Sequence, residues 1–86
     1  MPEISRFFGI IIAMYYNDHA PSHFHARYGE YEIKVAIESG DVLAGQMPWR
    51  AERLIIEWSS LHRAELAEDW KLAEERRPLL KIEPLE

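Results

Sequence analysis

The chain has 86 residues, 48% of them apolar, with three Trp, four Tyr, three Phe and no Cys. This is one small domain with enough apolar mass for a core, and the missing cysteines exclude a disulfide framework and a thiolate zinc site. Ten basic residues against fifteen acidic ones give a net charge of −5. Because phosphate neutralisation dominates nucleic-acid affinity, this balance argues against an autonomous DNA-duplex binder, although a local RNA site remains compatible with it.

Residues 1–6 lack a signal-peptide pattern, and the apolar run at 7–16 is far shorter than the ~20 residues of a membrane-spanning helix. The expected setting is the cytoplasm, with no membrane association. No repeat, linker or low-complexity tract divides the chain. It is expected to be a single domain, 1–86, with a β-rich half (1–47), a helical segment (48–77) and a tail (78–86).

In chain order, residues 7–16 (FFGIIIAMYY) are β-branched and aromatic on both faces and stop at the turn-prone Asn17-Asp18, which predicts a central strand. In 23–28 (HFHARY), Phe24, Ala26 and Tyr28 alternate with His23, His25 and Arg27. In 31–38 the apolar Tyr31, Ile33, Val35 and Ile37 alternate with Glu32, Lys34, Ala36 and Glu38. Gly29-Glu30 between them suits a two-residue type II′ hairpin. That turn pairs Tyr28 with Tyr31, Arg27 with Glu32, Ala26 with Ile33, His25 with Lys34, Phe24 with Val35 and His23 with Ala36. A slip of one residue would bury the charged face, so burial enforces the register. A weaker fourth strand is predicted over 41–46.

From Pro48 onward, Ala51, Leu54, Ile55, Trp58, Leu61, His62, Leu66, Trp70 and Ala73 recur at helical spacing. An unbroken helix to Arg77 would be about 45 Å long, against about 30 Å for the whole globule. A kink or break is therefore expected over Ser59–Ala64, where Ser59-Ser60 is the weakest helix-forming pair. The tail is expected to add a short edge strand or to lie across the sheet. The fold class is α+β: a small antiparallel four-stranded β-meander followed by a long C-terminal helix, kinked or broken, packed on one face.

Three of the four histidines fall within Asn17-Asp18-His19-Ala20-Pro21-Ser22-His23-Phe24-His25. On a strand, His23 and His25 at i, i+2 project from one face. With His19 or Asp18 folding back from the loop they form a candidate metal set (Asp18, His19, His23, His25), with zinc as the candidate ion and water as its fourth ligand. Lys34 opposite His25 opposes that reading, since a cation beside a dication is unfavourable. The same histidines, with Arg27 or Lys34 stabilising charge on phosphate, form a candidate acid–base set for RNA cleavage: His19, His23, His25, Arg27 and Lys34. The plainest reading is structural, with the imidazoles bonded to loop carbonyls or to Glu32. His62 reads as a half-buried helix residue, and Trp49, Trp58 and Trp70 as core or interface anchors.

Ile4-Ser5-Arg6-Phe7-Phe8-Gly9-Ile10, Asn17-Asp18-His19 with Pro21, His23-Phe24-His25-Ala26 with Tyr28-Gly29, and Glu57-Trp58, His62 and Trp70 resemble the bacterial family catalogued as domain of unknown function 4160. The family often has two prolines before the His-Phe-His triplet, and here Ser22 stands at the second. The resemblance implies a toxin-like component of a two-gene toxin–antitoxin-type module with a small cognate protein encoded nearby. In that setting the histidines would act on RNA as a ribonuclease. The other expectation is a non-enzymatic interaction or regulatory domain whose histidine loop is structural or holds a metal, and whose helix docks a partner or a second copy.

Overall fold

The computed structural model describes residues 2–86. Five strands, β1 (Glu3–Phe7), β2 (Ile10–Ala13), β3 (His23–Tyr28), β4 (Tyr31–Ala36) and β5 (Val42–Gln46), precede two helices, α1 (Trp49–Leu61) and α2 (Arg63–Glu74). The strands form one antiparallel meander in the order β1-β2-β3-β4-β5. The fold is α+β as expected, but the sheet has five strands rather than four.

The extra strand comes from a turn inside the apolar run. Phe8 (φ 50°) and Gly9 (φ 80°) both take the left-handed region, as a type I′ hairpin turn demands. What reads as one strand over 7–16 is therefore the end of β1, a two-residue turn, β2 and a departing loop. The β3–β4 register matches the predicted pairing at all six positions. Gly29, at φ 60°, supplies the first position of its turn. In β5, Gly45 has φ 89°, and a Cβ there would collide with the main-chain oxygen of Glu32. Backbone approach dictates glycine at that position.

One sheet face carries the core. Phe7, Ile10, Ile12, Phe24, Ala26, Ile33 and Val35 pack with Ile55 and Trp58 of α1 and with Leu66 and Ala73 of α2. Trp58 is fully buried, its ring 5.4 Å from that of Phe7 and 5.8 Å from that of Phe24.

The helical segment breaks at His62 (φ −122°, ψ 27°), inside the expected window. Just before it, Ser59 Oγ donates to Ile56 O and Ser60 Oγ to Glu57 O, the back-bonding that bends helices. The break keeps the molecule within 33 × 25 × 22 Å. His62 bonds to Glu65 at the start of α2 and lies 5.4 Å from the Trp58 ring. It takes part in the helix junction. At the other end, Arg76 (φ 57°) closes α2, with Arg77 N–H donating to Leu72 O at 2.9 Å, a Schellman-type stop.

The tail lies along β1 rather than forming a strand. Ile82 N–H donates to Ile4 O at 2.8 Å, Lys81 Nζ to Glu3 O at 2.7 Å and Trp58 Nε1 to Glu83 O at 2.8 Å. Leu80 N–H donates to Asp69 Oδ1 at 2.8 Å. Asp69 is fully buried, and its Oδ2 has no hydrogen-bond partner. Burial pushes its carboxyl above the ordinary value, against the Leu80 hydrogen bond that lowers it. A raised acid holds its proton longer when folded, so its contribution is fully present below the unfolded pKa and falls as pH rises through the folded one. Wild type is accordingly expected to lose stability relative to Asp69→Asn as pH climbs from the carboxylate range upward. Thermal melts of both proteins across pH check this; a constant difference would refute it.

Candidate metal centre on the β2–β3 loop and strand β3

His23 and His25 alternate with Phe24, so Phe24 enters the core while both imidazoles sit on the opposite sheet face. That face is covered here: His23 is only 4% exposed and His25 6%. The loop that leaves β2 does part of the covering. Asn17 takes φ 64°, a left-handed conformation that Asn tolerates well, and Tyr16 OH donates to Arg77 O at 2.9 Å beside the end of α2. The following residue, Asp18, turns back onto the strand.

Asp18 Oδ2 lies 2.9 Å from His23 Nε2 and 3.0 Å from His25 Nε2. Asp18 Oδ1 accepts from His19 N–H at 3.3 Å. On its far side His23 Nδ1 donates to Pro21 O at 2.8 Å, and His25 Nδ1 lies 3.3 Å from Glu32 Oε2. The Tyr15 ring stands edge-on to His25 at 4.2 Å, and the Trp70 indole of α2 lies 5.3 Å from His23.

These contacts decide where the protons sit. A carbonyl only accepts, so His23 Nδ1 carries hydrogen, and in the neutral ring its Nε2 is a lone pair 2.9 Å from the anionic Asp18 oxygen. That approach is repulsive unless a proton or another cation intervenes. His25 lies between two carboxylates, Glu32 at Nδ1 and Asp18 at Nε2, so its neutral ring can donate to only one of them. For His25 a second proton gives hydrogen bonds to both. For His23 it does not: the approach lacks hydrogen-bond geometry, and the buried Nε2 has no hydrogen-bond partner. Two imidazoliums with centroids 5.1 Å apart would also repel each other by about 3 kcal/mol at an effective dielectric near 20.

Burial pushes the Asp18 carboxyl up, but the hydrogen bond from His25 and the pull of His23 and His25 in their protonated forms outweigh it, with His19 N–H adding to them. Its pKa lies below the ordinary carboxylate value. Tyr15 is shifted upward, first by burial and then by Glu32, so its hydroxyl keeps its proton.

Of the candidate residues, the structure brings Asp18, His23 and His25 together and leaves His19 on the exposed loop. Lys34 is the register partner of His25 and lines a cleft with His19 and His23. Arg27 shares their sheet face and pairs in register with Glu32. The bonds to a loop carbonyl and to Glu32 match the structural reading of the sequence. Tyr15 and Trp70 are unanticipated members of the site.

A small α+β meander closed by a broken helix, with two strand histidines and a loop aspartate converging beneath that loop, defines the class. The chain belongs to the family described as domain of unknown function (DUF4160), whose model matches residues 9–71. The match contains all three converging residues. No match was found among curated proteins or solved structures.

Proposed function

We propose that this domain binds one divalent transition-metal ion through Asp18 Oδ2, His23 Nε2 and His25 Nε2. The observation that carries this reading is the buried His23 Nε2, which has no hydrogen-bond partner yet lies within 4.8 Å of the other two ligand atoms. A single doubly charged ion would take the place of the missing protons and satisfy all three atoms. Each Nε2 lies 2.9–3.0 Å from Asp18 Oδ2, which fits histidine–carboxylate ligand pairs about 90° apart around an ion at about 2.1 Å, and two histidines with one carboxylate are a donor set that divalent transition metals take. Pro21 O and Glu32 fix the ring tautomers, as outer partners of metal-bound histidines commonly do. The ion would clamp the β2–β3 loop onto β3 and offer a Lewis acid at the loop's edge.

Metal analysis of protein purified without chelator, followed by zinc titration, tests the reading. One ion per chain is expected; a substoichiometric content together with no calorimetric uptake of zinc would sink it. Glu32→Ala leaves the ligands in place and is expected to weaken zinc binding by about 10–100-fold, read by the same titration.

The second reading, a toxin-like ribonuclease of a two-gene module acting through His19, His23 and His25 with Arg27 or Lys34, draws on the cleft that His19, His23 and Lys34 share. The geometry supports it less, because both strand histidines direct their Nε2 atoms at Asp18 rather than at a substrate. Expression in bacteria separates the two: growth arrest with RNA cleavage in wild type, lost in His23→Ala, favours the nuclease.

A further inference from the structure

Asp18 and His23, two of the three ligands proposed above, also line a cleft of about 280 Å³ bounded by His19 and Pro21 of the loop, Lys34 of β4, and Leu43 and Ala44 of β5. Asp18 is the one carboxylate among the residues lining this cleft, and the metal reading commits it to the ion. Lys34 is exposed and stands between His25 and Ala44 in the sheet register, and its side chain makes no hydrogen bond or ion pair among the described residues. The small side chains at Ala20 and Ala44 leave the space beside it open.

A lysine ammonium on the rim of a cation site is unfavourable on its own. It becomes favourable when an anion sits between the two positive centres, with separate oxygens for each. We propose that this cleft takes a phosphate-type oxyanion, bridging the metal ion and the Lys34 ammonium; the proposal rests on the metal reading above. A tetrahedral phosphate has oxygens enough to enter the open coordination positions and still accept charge-assisted hydrogen bonds from Lys34. The cleft suits inorganic phosphate or a terminal phosphoryl group. Lys34 thereby ceases to be an argument against a metal and becomes part of the same site.

The test uses the full chain loaded with Co(II), after the metal alone has been titrated. Inorganic phosphate is then added and its ³¹P relaxation followed, with acetate as the competing carboxylate. Wild type is expected to relax phosphate strongly. Lys34→Gln, which removes the ammonium, should bind the metal at least as tightly as wild type does but weaken phosphate binding by about tenfold or more. Lys34→Arg should recover part of the loss. Metal uptake without phosphate relaxation, equal relaxation in Lys34→Gln, or displacement by equimolar acetate would each overturn the phosphate assignment and leave the metal site standing. Failure to take up metal would remove both.

Discussion

Zinc added to the metal-free protein at a free concentration of about one hundred times its dissociation constant should raise Tm by about 10–20 °C. Ligand linkage supplies about 2.7 kcal/mol at that ratio, and 1 kcal/mol moves Tm by about 4–8 °C in a domain of this size. Asp18→Ala and His25→Ala should abolish the rise, because two remaining ligands hold the ion weakly and the loop has nothing to be clamped by. His19→Ala should keep it in full, since His19 lies outside the convergence. Differential scanning calorimetry of the four proteins, with and without zinc, checks each statement. A rise that survives Asp18→Ala, or one that vanishes in His19→Ala, would contradict the assigned ligand set.

Trp58→Ala is expected to destabilise the domain by about 3–5 kcal/mol. Total stability for a small domain is about 5–15 kcal/mol, so this single change takes away a large part of it. Trp58 is where three parts of the molecule meet: it packs on Phe7 and Phe24 of the sheet, sits in α1, and donates its indole N–H to Glu83 O in the tail. Trp58→Phe retains most of the packing and loses that hydrogen bond. Circular dichroism melts should show a deep fall for the alanine variant and a smaller one for phenylalanine. Hydrogen exchange should show the Ile82 amide of the phenylalanine variant opening faster than in wild type. Unchanged exchange there would mean that the tail does not depend on the indole.

Much of the β3–β4 hairpin was legible in the sequence because three independent signals agree: alternation on both strands, Gly29 at the turn and charges that cannot be buried. The β1–β2 turn was hidden because Phe8, one of its two turn residues, is apolar. It looks like a continuation of the strand, although it is 61% exposed. Gly9 was the only mark of a turn in that run. The helix break was legible from length alone, since an unbroken helix would outrun the globule. At the site, the i, i+2 spacing placed His23 and His25 on one face correctly. Which loop residue joins them was not legible, because it depends on the path the backbone takes at Asn17 and on the tether between Tyr16 and Arg77, residues 61 positions apart. Trp70 reached His23 for the same kind of reason: helix periodicity marks it as inward-facing, but only the placement of α2 determines what it meets.

The tail running along β1 brings residues 81–82 beside residues 3–4, with Ile82 bonded to Ile4 and Lys81 to Glu3. The fold is thus nearly a closed circuit, and the order in which the polypeptide passes through it is interchangeable in principle. A short linker joining residue 86 to residue 2 would allow the chain to be opened elsewhere. The exposed Gly29–Glu30 tip is the natural place for new termini, because the six β3–β4 pairs would then be held by tertiary contacts instead of by a hairpin, while Asp18, His23 and His25 stay together on one side of the opening.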